Sequence, residues 1–291
     1  MIRTLVLENK ASNGDLLQAT FLPDHGMNLC SYKRGDVEVI DQSTRPLFEE
    51  RFAGLGALIG PHFHRRHTAV LPKIENEARY PHIARVRAKG VDDPFSHGIA
   101  RYAPWQAERD GTHIRAKLTG KDPWEGTPIK DLEGQDFVME MKADLEPDGL
   151  RIRLSVVSDT DSLVGIHYYY ALPPGKATVK ADVQPRYRIG AEWQALPQHY
   201  ALDTQCTLTF DLKEEADFGF QPYKDPFGGA IVLETEKYTL TTRYKAPSQE
   251  NTWQLYHPAG SSFVCIEPIS AQNPKRPLLS VSSLDIKLSI D

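Results

Sequence analysis

Apolar residues recur at every second position over much of the C-terminal two thirds of this chain, and this period of two most constrains its fold. Between Phe137 and Val156 two alternating runs flank the turn sequence EPDG at residues 146–149, a pattern typical of an antiparallel hairpin. The same alternation returns in three further segments, residues 207–212, 238–244 and 284–290. Because successive side chains of a strand point to opposite faces, each segment predicts a strand with one buried and one solvated face.

Helical patterns are few. The stretch from Leu47 to Leu58 could form a turn or two of helix, although Gly54 and Gly56 weaken it. The 21 prolines and 20 glycines are scattered along the 291 residues, which favours many short elements separated by turns. We therefore expect an all-β chain in which two large antiparallel sheets pack face to face as a single domain over residues 1–291. A division into two small sandwiches stays open, because no shift of composition marks a boundary.

Charge and composition exclude several classes of partner. With 34 Lys and Arg against 39 Asp and Glu, the net charge is -5, which argues against a nucleic acid or an anionic membrane as partner. No segment has the roughly 18 apolar residues of a membrane span, and residues 1–10 lack the apolar core of a secretory signal. Cys30, Cys206 and Cys265 are too few and too widely spaced for a disulfide framework. These features predict a cytoplasmic protein.

Histidines and arginines crowd a loop-rich segment between residues 54 and 104. His62, His64 and His67 could form a metal site, since imidazole suits zinc, copper or nickel. No carboxylate or cysteine lies at a fixed spacing to complete a ligand set, so we expect no metal there. The same side chains could bind sugar hydroxyls or phosphates, or lie on a surface loop without a role.

Two strand-like segments each carry one ionisable residue among apolar neighbours. In residues 164–172 alternation places His167 and Tyr169 on the same face, and residues 262–269 contain Glu267. An unpaired buried carboxylate is costly, so Glu267 needs strong partners or a functional role. His167 could be a hydrogen-bonded core residue or the partner of Glu267 in acid–base chemistry. The chain has neither a glycine-rich nucleotide loop nor a G-x-S-x-G elbow.

Taken in chain order, short segments over nearly the whole chain resemble the aldose 1-epimerase (galactose mutarotase-like) family, including its hexose-6-phosphate-epimerase-like branch. The similar segments are residues 5–9 with 23–29, 60–66 (GPHFHRR), 97–105 (HGIAR followed by PW), 165–170 (GIHYYY), 225–230 (DPFGGA) and 265–268 (CIEP). Met27 stands where the family has its second glycine, and Tyr170 stands where it has phenylalanine.

The resemblance implies a large antiparallel β supersandwich and a cofactor-free isomerase that interconverts the α and β anomers of an aldose. By the same resemblance, Glu267 removes the proton from the anomeric hydroxyl and His167 protonates the ring oxygen. The ring opens to the aldehyde, the C1–C2 bond rotates, and the two groups reverse roles on closure.

The resemblance also implies the residues that hold the substrate, a small sugar or sugar phosphate. His97 and one of Arg65 or Arg66 would bind the sugar, and Arg101 lies where sugar-phosphate relatives have a phosphate-binding arginine. Asp225 would bind hydroxyls, with Asp203 as its competitor. The expected assembly is a monomer or homodimer. A non-catalytic carbohydrate-binding protein on the same scaffold is the alternative from another functional class.

Overall fold

The computed structural model describes residues 2–200 and 202–291. The strands within these residues are β1 (Leu5–Lys10), β2 (Leu16–Leu22), β3 (Asn28–Arg34), β4 (Val37–Glu38), β5 (Gly56–Ile59), β6 (Gln106–Asp110), β7 (His113–Thr119), β8 (Pro123–Trp124), β9 (Thr127–Pro128), β10 (Phe137–Glu146), β11 (Gly149–Ser158), β12 (Gly165–Ala171), β13 (Thr178–Ile189), β14 (Glu192–Ala195), β15 (Thr207–Asp211), β16 (Ala216–Pro222), β17 (Gly228–Glu234), β18 (Thr239–Lys245), β19 (Thr252–His257), β20 (Phe263–Ile269) and β21 (Val281–Ile290). The α-helices are α1 (Arg45–Arg51), α2 (Pro81–Arg87) and α3 (Ile129–Glu133).

A long series of antiparallel strands dominates the structure. Its order is β5-β12-β20-β19-β16-β13-β17-β18-β21-β11-β10-β7-β6, and β1 to β4 form a separate four-stranded sheet. The long strand β13 joins two layers. Its first half pairs with β15 and β17, and its second half pairs with β14 and β16, with an irregularity in the β16 pairing between Val183 and Tyr187. The expected antiparallel β-sandwich is confirmed.

The predicted hairpin of residues 137–156 is confirmed as β10 and β11. Glu146 pairs with Gly149 at the turn, and the inward side chains of Met139, Met141 and Leu154 are buried. Each such side chain contributes about 1.5–3 kcal/mol on burial. The other three alternating segments also form strands, as β15, β18 and β21. Buried apolar side chains from both layers and from the four-stranded sheet form one continuous cluster.

The helical segments are short. The helix α1 begins at Arg45 and ends at Arg51, where Phe52 takes a left-handed conformation, so the turn or two of helix expected within residues 47–58 forms at the start of that stretch. The strand β5 then begins at Gly56, which packs so closely on β3 that a Cβ there would lie 2.6 Å from the carbonyl oxygen of Leu29. The short helix α2 lies in the segment expected to be loop. No helix among the described residues is long and apolar enough to cross a bilayer.

Candidate active site

His167 and Glu267 lie side by side on neighbouring strands. The register of β12 and β20 pairs Gly165 with Ile269 and Tyr168 with Ile266, which puts His167 opposite Glu267. The Nε2 atom of His167 is 3.4 Å from Oε1 of Glu267, and both residues are buried. Tyr169 stacks on His167 with ring centroids 5.0 Å apart, as the alternation predicts. The sequence assigned these two residues to separate strands, and the sheet topology makes those strands adjacent.

A cavity of about 420 Å³ opens beside this pair, a volume that suits a small molecule. It is lined by aromatic, imidazole and charged side chains, among them Phe63, Tyr102, Tyr169, Tyr256, His64, His97, His167, Arg51, Arg65, Arg101, Arg188, Lys275, Asp93, Asp217 and Glu267. Such a mixture offers flat apolar surfaces together with many hydrogen-bonding groups.

Burial sets the proton distribution of the pair. It raises the pKa of Glu267 well above 4.5, an effect that Arg101 and Arg188 oppose and Asp217 reinforces. Burial, helped by the field of Arg101, lowers the pKa of His167 well below 6.5. Both shifts disfavour the charged forms, so burial favours the state in which His167 is neutral and the proton of the pair is on Glu267. Moving it to His167 leaves the number of bound protons unchanged.

The segment HGI at residues 97–99 brings His97 to the cavity. Gly98 has φ +90°, and a Cβ there would lie 1.9 Å from the carbonyl oxygen of Gly60, so only glycine allows this approach. Gly60 N donates to the His97 carbonyl at 2.9 Å, and the His97 ring meets that of His167 edge-on at 5.2 Å. Burial and the charge of Arg101 lower the pKa of His97 well below 6.5, so its imidazole is a neutral hydrogen-bonding group.

Of the two adjacent arginines, Arg65 lines the cavity and Arg66 does not. Arg66 forms a fork with the Asp93 carboxylate through Nε–Oδ2 at 3.1 Å and Nη2–Oδ1 at 2.9 Å. Its Nη1 donates to the carbonyl of Glu133. The expectation that either arginine could hold substrate is therefore corrected for Arg66, because both ends of its guanidinium are engaged in a buried network.

The sugar-binding aspartate expected from sequence also needs correction. Asp225 lies in an exposed turn and accepts a hydrogen bond from Phe227 N at 2.9 Å, and Asp203 likewise accepts from backbone groups of its own loop. Neither lines the cavity. Two other aspartates do so, Asp93, which is already paired with Arg66, and Asp217 on β16, which accepts from Gln254 Nε2 at 2.6 Å. The only local signal for Asp217 was a carboxylate next to the aromatic residue Phe218 in a strand.

Sequence reasoning also missed Arg188, a fully buried arginine on β13. Its Nη2 donates to Gln254 Oε1 at 2.8 Å, and it packs on Gly219, where a Cβ would lie 2.6 Å from the guanidinium. Among the described residues, Arg188 Nε and the Nε and Nη2 atoms of buried Arg101 have no hydrogen-bond partner. Buried guanidinium donors without partners are costly, so these groups are suited to binding a ligand.

The histidines 62, 64 and 67 do not converge. His62 Nδ1 hydrogen-bonds Glu133, and its Nε2 lies 3.6 Å from Asp93. Burial alone disfavours the protonated form of His62, but these two carboxylates outweigh it and raise the pKa of His62 above 6.5. His67 Nδ1 accepts from Ala69 N. Within residues 2–200 and 202–291, the group of three closely spaced metal-ligating side chains is instead His167, Cys265 and Glu267.

Solved structures of several proteins share this fold. A putative aldose 1-epimerase from Escherichia coli K12 is 14% identical, with 99% of each chain covered and a TM-score of 0.64. A galactose mutarotase-like protein from Lactobacillus casei is 12% identical, with 99% of this chain and 100% of that chain covered and a TM-score of 0.69. A galactose mutarotase-like protein from Clostridium acetobutylicum is 14% identical, with 99% and 98% covered and a TM-score of 0.64.

No family model matches the sequence, and no curated protein matches it significantly. At these identities the structural likeness establishes the fold, which is that of the galactose mutarotase-like β-sandwich.

Proposed function

We propose that this protein is an aldose 1-epimerase, an isomerase that interconverts the α and β anomers of a hexose by opening and closing its ring. The observation that carries the proposal is the His167–Glu267 pair, with 3.4 Å between Nε2 and Oε1, beside a cavity of sugar size. Two groups that can exchange a proton with bound substrate are what this reaction requires. The likeness in fold to a putative aldose 1-epimerase adds support.

In the forward reaction Glu267, as carboxylate, takes the proton of the anomeric hydroxyl while protonated His167 gives a proton to the ring oxygen. The bond from C1 to the ring oxygen breaks as the C1 carbonyl forms. Rotation about C1–C2 and closure on the other face return both protons. Each positioned proton transfer contributes about 10²–10⁴-fold to the rate.

Because burial favours the proton on Glu267, either it first moves to His167 or the two residues begin in the opposite roles. Both routes use the same number of protons, and closure uses the groups in reverse order.

Three further cavity residues are proposed to bind the sugar. His97 is a neutral imidazole beside His167, Asp217 is a hydroxyl acceptor held by Gln254, and Arg65 lies at the exposed rim. Together they would fix the ring so that its anomeric hydroxyl and ring oxygen face the acid–base pair.

A phosphorylated hexose is the second candidate substrate, favoured by the charges around the cavity. Five cationic side chains line it, namely Arg51, Arg65, Arg101, Arg188 and Lys275, whereas Asp93 is already paired with Arg66. A guanidinium fork matches phosphate geometry. A kcat/KM for glucose 6-phosphate well above that for glucose would support the phosphorylated hexose as the substrate.

The activity is tested by nuclear magnetic resonance exchange or polarimetry on freshly dissolved α-glucose, α-galactose and glucose 6-phosphate. We expect catalytic amounts of the protein to accelerate anomer exchange above the buffer rate. A sugar-binding protein without catalysis would instead give a binding isotherm by calorimetry and no acceleration. That combination would contradict the proposed function.

The pH profile gives a second test. Because the active pair holds one proton, uptake of a second one inactivates it, and this happens only below the lowered pKa of His167. We expect kcat/KM for glucose to stay level as pH falls through 6.5 and to decline only at lower pH. The profile is measured after subtraction of the buffer-catalysed rate. A decline centred at or above 6.5 would contradict the assignment.

A further inference from the structure

Three metal-ligating side chains meet beside the cavity on one face of β12 and β20. A ring nitrogen of His167, the Sγ atom of Cys265 and a carboxylate oxygen of Glu267 all lie within 4.8 Å of one another, and all three residues are buried. Cys265 and Glu267 share a face because they are two residues apart on one strand. The register pairs Cys265 with Tyr169, which places His167 across from Glu267.

The distances between these ligand atoms approach those around a tetrahedrally coordinated ion. Ligands about 2.0–2.3 Å from Zn²⁺ lie roughly 3.3–3.6 Å from one another. His167 Nε2 and Glu267 Oε1 are already 3.4 Å apart. The sulfur lies within 4.8 Å of its two partners, so a shift of at most about 1 Å would complete the set. Among the described residues, Oε2 of Glu267 has no hydrogen-bond partner, so this carboxylate has unused capacity for a ligand.

We propose that His167, Cys265 and Glu267 form a binding site for a borderline-soft divalent cation, with Zn²⁺ as the best match. Imidazole, thiolate and carboxylate are all zinc ligands, and three of them leave the fourth tetrahedral position open. The sulfur disfavours Mg²⁺ and Ca²⁺, which take oxygen ligands. We expect the open position on the cavity side, since His167 and Glu267 line the cavity whereas Cys265 does not.

The surrounding charges limit the affinity. A thiolate and a carboxylate together offset the two charges of the ion, and both must release their protons before it binds. Arg101 and Arg188 in the same cavity repel a further cation, while Asp217 attracts it. We therefore expect reversible occupancy that a chelator removes.

The site has a regulatory consequence. A bound ion would occupy the nitrogen and the oxygen that carry the protons in the proposed reaction. Zinc should therefore inhibit anomer exchange, and a chelator should restore it. This consequence rests on the proposed function, whereas the binding itself does not.

Cobalt(II) in place of zinc tests the site directly, with the full chain purified without a histidine tag and freed of metal by a chelator. One equivalent of Co²⁺ should produce a thiolate-to-cobalt charge-transfer band in the near ultraviolet, which Zn²⁺ should displace. Cys265→Ser should abolish this band and weaken zinc binding by more than the roughly 10–100-fold that loss of an outer-shell partner costs. Cys206→Ser is the matched control, because Cys206 lies outside the cavity, and it should leave the band unchanged.

Absence of the band in the wild type, or its survival in Cys265→Ser, would overturn the proposal. If that variant does not fold, X-ray absorption spectroscopy of the zinc-loaded wild type tests the site instead. We expect one sulfur at about 2.3 Å from the zinc, and a ligand shell without sulfur would overturn the proposal. Anomer exchange of the metal-free protein is measured in parallel. Cobalt binding without exchange activity would contradict the proposed function alone, and unimpaired exchange in the zinc-loaded protein would overturn the inhibition.

Discussion

Replacement of Glu267 by glutamine is expected to lower kcat for anomer exchange by about 10²–10⁴-fold. Glutamine has the size of the carboxyl group but cannot take or release the proton that the reaction moves. Burial raises the pKa of this carboxyl group and so favours its neutral form, so the neutral amide should be accommodated with little loss of stability. Exchange rates by nuclear magnetic resonance, with circular dichroism to verify the fold, measure the effect.

Asp225→Asn is the control for this substitution. Its side chain lies in an exposed turn outside the cavity, so its loss of charge should leave kcat and KM unchanged. A folded Glu267→Gln protein with the wild-type rate would refute the mechanism. An equal loss in Asp225→Asn would show that the cavity described above is not where the reaction takes place.

Replacement of Asp93 by alanine is expected to lower the free energy of unfolding by about 3–5 kcal/mol, because it leaves a buried cation without its partner. The Asp93 carboxylate binds the Arg66 fork and accepts from Phe95 N, and it lies near His62. Without it, Glu133 is the one carboxylate left to pair with both Arg66 and the cationic form of His62. The urea midpoint, with its slope checked for change, measures the loss.

Asp285→Ala provides a matched comparison. Asp285 forms the same two-bond fork with Arg151, at 2.9 and 2.5 Å, but this pair is more than a third exposed. An exposed pair contributes about 0–1 kcal/mol, so we expect a small shift of the urea midpoint. Equal losses in the two variants would contradict a dependence on burial. The Asp93 variant should also lose activity, since its network holds the segment that carries His97 and Arg101.

Local patterns were sufficient for much of the fold. The hairpin of residues 137–156 and the strands near residues 210, 240 and 287 follow from alternation, because a sheet with one buried face imposes that period on the side chains of each strand. The bounds of α1 did not follow. The helix ends at the left-handed Phe52, and the strand β5 that comes next packs at Gly56 against β3, a contact between residues distant in sequence.

For the site, the sequence by itself singled out His167 and Glu267 as ionisable residues within apolar strands, and a family resemblance assigned them a joint role. Only the tertiary structure decided that they are neighbours 3.4 Å apart, that Arg65 rather than Arg66 lines the cavity, and that Asp217 lines it whereas Asp225 does not. The physical reason is that alternation is a local property of a strand. The direction of a loop side chain is set by partners far away in sequence, as Asp93 and Glu133 set that of Arg66.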